Sequence, residues 1–407
     1  MNIYKDKIIS CLPRILGSFN FDETDDKYGV GDRKYVFWKL SDFANGSYQG
    51  LVLGLTIIYK MRFFPNYISK QKLLSRIKII AFGTENILRN NGSLEESFPF
   101  ESSYCVTAQV LADLLYSYEL ISNNLNKEEK KRWIDLCSKM KSFLIIHDET
   151  HGEISNHIAC ALLALTRWNN LKKEKAVREK IGKLREKLLS FQDNEGWFKE
   201  YNGADPGYQS LCLSYLTQIN NVINHDKTIN QIDRSINFLK YAFHPDGSFG
   251  GMYGSRNTRF LYPSSFEILS NKNILASKMS SFVRNSIVHQ NFVTLDSIND
   301  ENLVPMFNDY AIAAMAFERN KKLKLKAVKL PFEENNLNIY LKNLGWFIRS
   351  NKREYTVINY SSGGSFIHFR NKMKYENPGI IFKMKDQIMI STPNKIINSI
   401  NLIQKNL

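Results

Sequence analysis

From about residue 42 to residue 320 the chain alternates between two textures of apolar and polar positions. One texture is apolar or small on nearly every side: NGSYQGLVLGLTIIY (45–59), SYCVTAQVLADLLYSYELI (103–121), NHIACALLALTRW (156–168), PGYQSLCLSYLTQI (206–219), RFLYPSSFEIL (259–269) and NDYAIAAMAF (308–317). The other, at about 68–89, 127–146, 172–191, 227–243 and 274–290, sets Lys, Arg and Glu on one helical face and Leu, Ile or Phe on the opposite one. A helix apolar all round must be buried, and its amphipathic partner must face water. The last five buried-type segments begin about 50 residues apart, as stacked repeats of one supersecondary unit do. An inner and an outer ring of helices satisfies both textures. The prediction is therefore a mainly α protein, an α/α toroid of about six helical hairpins.

Beyond about Lys322 the pattern shortens. REYTVINYS (353–361), GSFIHFR (364–370), GIIFKMK (379–385) and QIMISTP (387–393) are β-branched and aromatic, with turn residues between them. They predict a small antiparallel sheet over about 340–395, and NKIINSINLIQKNL (394–407) suggests a last helix. The expected division is a toroid over 1–325 and a small β-rich region over 326–407.

Composition adds limits. With 43% hydrophobic and 23% charged residues in 407, the chain has ample material for a core. Fifty-five Lys and Arg against 40 Asp and Glu give +15, which favours anionic partners such as acidic glycans, lipid head groups or nucleic acid. The basic residues concentrate in helical stretches such as Asn126–Arg132 and Lys172–Lys187, where solvated outer faces account for them, and no nucleic-acid motif accompanies them. A nucleic-acid partner is not expected. The N-terminus MNIYKDKIISCLPRILGSF does not read as a signal peptide, and the apolar run Leu51–Tyr59 is too short to span a bilayer. Five scattered cysteines without a C-x-x-C pair read as reduced thiols, so a cytoplasmic location is expected.

The candidate chemistry lies in the loops that enter the inner helices, which a toroid gathers at one mouth. They run over Gly29–Gly50, Phe98–Tyr104, His147–His157, Asp193–Ser210 and His244–Pro263, longer and more aromatic than ordinary helix connections. Trp38, Trp197, Tyr208, Phe249 and Tyr253 are candidates to stack on a ligand, with Asp205 and Asp246 as polar contacts. Asn156-His157 opens an inner helix, with Asn156 or Ser155 as the natural cap. A neutral His157 suits a base and Asn156 a donor to a carboxylate. Arg256 and Arg259 beside Tyr253 suit a bound anion. His147, Asp148, His151, Glu153 and His157 fit no zinc spacing, so neither a metal nor another cofactor is expected.

With Asn156-His157 and the stretch DGSFGGMYGSRNTR (246–259), the toroid followed by a sheet resembles polysaccharide lyases of the heparinase II/III and hyaluronate/chondroitin lyase type. The resemblance implies β-elimination on an acidic poly- or oligosaccharide or a glycan precursor. Asn156 would neutralise the sugar carboxylate, His157 or Tyr253 would take the proton, and Tyr253 would serve the leaving oxygen. Arg256 or Arg259 would hold the acidic sugar. Three other readings stay open. A glycoside hydrolase would use carboxylates from Glu200, Asp205 and Asp246. A non-catalytic glycan-binding or assembly protein needs no such constellation. A terpenoid-cyclase-like toroid would use QDNEGW (192–197), similar to a Q-x-x-x-G-x-W motif, together with the acidic cluster DETDD (22–26).

Overall fold

A computed structural model describes residues 1–320, 328–371, 373–379, 381–384 and 387–390. In chain order its helices are α1 (Ile3–Leu16), the short α2 (Arg33–Val36), α3 (Leu51–Met61), α4 (Lys70–Gly83), α5 (Tyr104–Ile121), α6 (Lys127–Ile146) and α7 (Ser155–Leu171). They continue as α8 (Lys175–Ser190), α9 (Pro206–Val222), α10 (Asp226–Leu239), α11 (Ser264–Leu269), α12 (Ile274–His289) and α13 (Leu303–Arg319). Helices α3, α5, α7, α9, α11 and α13 pack each on the next, and α13 packs back on α3 to close the inner ring. The amphipathic helices α4, α6, α8, α10 and α12 lie outside. The architecture is the expected α/α toroid.

Burial follows the two textures. Helix α7 buries every residue from Ser155 to Trp168 except His157, whereas α10 buries one stripe that includes Ile232, Ile236 and Leu239. The sixth outer helix is α1, from the opposite end of the chain. Its stripe Tyr4, Ile8, Cys11, Leu12 and Ile15 is buried against α13 and α12. Asn2 Nδ2 donates to Ala314 O at 3.0 Å, and Tyr4 packs edge-on to Tyr310. At the inner seam Asn308 bridges three helices. Its Oδ1 accepts from Gly54 N, and its Nδ2 donates to Gly50 O and to Asp113 Oδ2. One amide side chain thus ties α13 to both α3 and α5 at the point where the inner ring closes.

The loops into the inner helices repeat one device. Gly92 and Gly196 have φ of +85° and +94°, and each lies so close to an outer-helix carbonyl (Lys139 O and Arg234 O) that a side chain would collide with it. Gln209 Nε2 then donates to Gly196 O and Ser235 Oγ, while its Oε1 accepts from Phe198 N. Gln49 does the same for Gly29 and Gly31 in the first repeat. Gln192 donates to Gln231 O, so QDNEGW is a turn that ties a loop to α10. In the other half of the terpenoid reading, Asp22 and Asp25 cap local turns at Thr24 and Lys27.

The strands β1 (Asn336–Leu341), β2 (Trp346–Asn351), β3 (Glu354–Asn359), β4 (Ser365–Arg370) and β5 (Met373–Asn377) form an antiparallel meander, and β6 (Ile381–Met384) pairs with β7 (Gln387–Ile390). The inward face carries Trp346, Ile348, Tyr355, Val357, Ile367 and Phe369. Trp346 packs on Phe238 and Tyr253, and Tyr355 Oη donates to Tyr241 O, so the sheet covers one flank of the toroid. The expected domain boundary and the suggested last helix over 394–407 lie outside the described residues. No helix among the described residues is long and apolar enough to cross a membrane.

Candidate active site

Loops at the N-terminal ends of the inner helices enclose a cavity of about 620 Å³. Its floor is formed by Cys105, Gln109, Leu211, Tyr215 and Tyr262, and its rim includes the exposed His147, Asp148, His151 and Glu301. The exposed Phe98 and Phe100 stand on the same loop as the lining residues Glu96 and Glu101.

The segments 153–155 and 199–201 cross the cavity wall as a short antiparallel bridge. Ser155 N donates to Lys199 O and Tyr201 N to Glu153 O. Ser155 Oγ also donates to Lys199 O, so the expected cap at the start of α7 is absent. The N-cap is Ile154, and the serine is used to join the two loops. The bridge sets Glu200 against Asn156, whose Nδ2 donates to Glu200 Oε2 at 3.0 Å. Arg256 Nη1 reaches the other oxygen at 3.2 Å. Glu200 is 3% exposed, and its carboxyl is pushed up to about 7. Burial is the main cause, opposed by the charges of His157 and Arg256 and reinforced by Asp205.

Next to this group His157 Nδ1 lies 2.7 Å from Glu149 Oε2, and Glu149 Oε1 accepts from His151 N at 2.8 Å. Burial pushes Glu149 up, but its contact with His157 and the His151 amide outweigh that and hold it below the usual carboxylate range. A carboxylate on Nδ1 fixes the imidazole tautomer and leaves Nε2 for chemistry. Arg256 stacks over Tyr201 and Tyr208, at 4.9 and 4.7 Å from their ring centroids. Burial pushes the Tyr208 phenol up to about 12.

Four of the predicted residues therefore meet here: Asn156, His157, Tyr208 and Arg256. Asp205 is fully buried behind them. It caps α9 through Tyr208 N and accepts from Arg256 N, Thr258 N and Thr258 Oγ1, so it holds the arginine loop and is closed to a substrate. Tyr253 is 0% exposed, with its hydroxyl 2.9 Å from His244 Nε2 and its ring under Trp346. Phe249 packs into Phe243, and Asp246 accepts from Ser248 within its own turn. Arg259 pairs with Glu376 of β5 at 3.0 Å. Trp197 donates to Glu195, itself an acceptor for the sheet residues Asn343 and Leu344. Trp38 is exposed, with the Arg33 guanidinium over its ring. Trp197, Asp246, Phe249, Tyr253 and Arg259 thus serve the junction with the sheet or local turns, and the structure does not bring them to the cavity.

Glu149 and Tyr201 were not among the predicted residues. Glu149 sits eight positions from His157 in a loop without periodicity, so its role has no sequence signature. Among the described residues no group of three or more His, Cys, Asp or Glu could hold a metal ion.

Solved structures share this ring. A cellobiose 2-epimerase from Bacillus thermoamylovorans is 12% identical, over 78% of this chain and 100% of that one, with a TM-score of 0.55. A chondroitin AC lyase from Streptomyces coelicolor is 8% identical, over 91% of this chain and 54% of that one, with a TM-score of 0.56. An α-mannanase from Bacteroides thetaiotaomicron is 10% identical, over 78% and 96%, with a TM-score of 0.53. The fold is the α/α toroid of these enzymes. No family model matches the chain, and no curated protein matches it significantly.

Proposed function

We propose that the protein is a carbohydrate-active enzyme, a lyase that cleaves an acidic poly- or oligosaccharide by β-elimination. The observation that carries this reading is the Glu149–His157 pair in one cavity with Asn156 and Arg256, both of which are bonded to the buried Glu200 behind them. His157 Nε2 takes the proton from the carbon next to the uronate carboxylate. That electron pair forms the new C=C bond as the glycosidic C–O bond breaks, and the leaving oxygen receives the Tyr208 proton. Asn156 and Arg256 donate to the carboxylate as negative charge builds on it, with protonated Glu200 held behind them, the kind of preorganised contact whose removal typically costs about 10²–10³ in rate. The raised Tyr208 phenol keeps its proton at neutral pH, as an acid must. The acidic side chains at the rim do not repel an anion outright, since Asp148 pairs with Lys180 and Glu301 with Lys34.

Hydrolysis is the second reading, favoured by two carboxyls with opposed shifts, Glu200 upward and Glu149 downward. Against it, both Glu200 oxygens are already bonded and the group is almost wholly buried. Elimination leaves an unsaturated product that absorbs in the ultraviolet, and hydrolysis leaves none. With uronate-containing oligosaccharides the wild type is expected to generate that absorbance, and His157→Ala to lower the rate by about 10²–10⁴. Tyr208→Phe should fall similarly. Cleavage without the chromophore would transfer the assignment to hydrolysis, and full activity in both variants would remove these residues from the mechanism.

A further inference from the structure

The inner ring encloses more than the site cavity. Below it lies a space of about 20 Å³ that shares Gln109, Leu211, Tyr215 and Pro305 with the cavity above. The same small space shares Gln218 and Ile312 with a third cavity, of about 290 Å³. The third is lined by Tyr116, Arg167, Gln218 and Arg319 near the C-terminal ends of inner helices, at the mouth opposite the site. The three spaces stand in series along the toroid axis.

The narrow middle is polar. Gln109 and Asp113 are 8% and 9% exposed. Burial pushes the Asp113 carboxyl up and the Gln109 amide lies close enough to oppose that, but Gln109 Nε2 has no hydrogen bond of good geometry among the described residues. Asp113 Oδ2 accepts from Asn308. Asp309 is held by Ser214 and Ser264, and from Ser214 the contacts pass through Gln218 to Arg167 and Glu119. A space of this size takes one water where two to four polar groups can bind it, and a buried amide left unpaired costs roughly 1–3 kcal/mol. An axis meant only for packing would be filled by apolar side chains.

We propose that the toroid axis carries a file of ordered water from the site cavity to the opposite mouth, with Gln109 and Asp113 binding the water at the narrow point. Its use rests on the elimination reading. With a glycan across the front mouth, the file lets the proton taken by His157 pass to the rear solvent and lets Tyr208 regain one from it, so both groups reset with no net proton released.

The test is a high-resolution crystal structure of the full chain, paired with ¹⁷O relaxation dispersion of water to count long-lived internal waters. A water within hydrogen-bond distance of Gln109 Nε2 is expected, and Gln109→Met should lower the count by at least one with an unchanged thermal midpoint. A dry constriction in the wild type, or an unchanged count in a folded Gln109→Met, would overturn the water file. If Gln109→Met does not fold, the wild-type density alone decides. Ala316→Trp, which narrows the rear cavity, should slow turnover several-fold at saturating oligosaccharide, and unchanged turnover would overturn the proton-exchange role. Water counting needs no substrate, so a wild type that is inactive yet holds the water would sink the catalytic reading alone.

Discussion

A carboxyl cut off from water keeps its proton longer, and Glu200 meets solvent at almost no point. Pushed up to about 7, it is protonated below that pH and ionised above it. Once ionised it places negative charge beside the position proposed for the substrate carboxylate. The kcat/KM profile should therefore fall on its alkaline side near pH 7, and Glu200→Gln, neutral at every pH, should flatten that limb. Glu149→Gln tests the other half of the site. It keeps a group of the same shape beside His157 but weakens the hold on the imidazole, so kcat should drop by about 10-fold to 100-fold, within what a placed base supplies, with KM nearly unchanged. Asn156 and His157 were legible because they open a helix whose inner character is plain in sequence. Glu200 was visible only as one of several acids, because a bridge between loops some 45 residues apart puts it in place. Tyr253 sits near Arg256 in sequence yet faces the sheet, and its burial depends on Trp346, more than 90 residues away.

Among the elements, the amphipathic helices were read within a few residues, since one buried stripe per helix is a local property. Helix α11 is shorter than its apolar stretch suggests. Pro263 stands at its N-cap, and 259–262 instead forms an extended lead-in that bridges to Val293. The stripe of α1 is regular, but its partner α13 lies some 300 residues on, so no local pattern places it in the ring. Inner helices α3 and α13 meet closely at Gly54. A Cβ on Gly54 would meet the Phe307 ring at 2.6 Å and Asn308 Oδ1 at 2.8 Å, both in a buried seam. Gly54→Val should destabilise the fold by about 1–3 kcal/mol through overpacking, more if Asn308 is displaced from the Gly54 amide. Urea denaturation measures it, and an unchanged midpoint would mean that the seam yields freely.

For the molecule as a whole, several carboxyls are buried on the wrong side of neutral. Asp309 is pushed up to about 6 and Glu200 to about 7, both chiefly by burial. A raised folded-state value means that the native state binds more protons than the unfolded chain, so their contribution is complete below the ordinary values of 3.8 and 4.5 and is lost as pH rises through about 6 and 7. The thermal midpoint should fall between pH 5 and pH 7.5, and Asp309→Asn should shallow that slope; a midpoint rising across the window would contradict the assignment. The completion of the outer ring by α1 has a consequence of another kind. An open stack of repeats can form its hairpins one after another as the chain emerges, and loses only an end when shortened. Here the first helix waits for the last, so a nascent chain carries the bare stripe from Tyr4 to Ile15 until residue 319 has been synthesised. Removing residues 1–16 should bare the outer faces of α13 and α12 beside the inner-ring seam, seen as aggregation and a lowered melting transition. The chain fastens like a belt whose buckle is made first and used last.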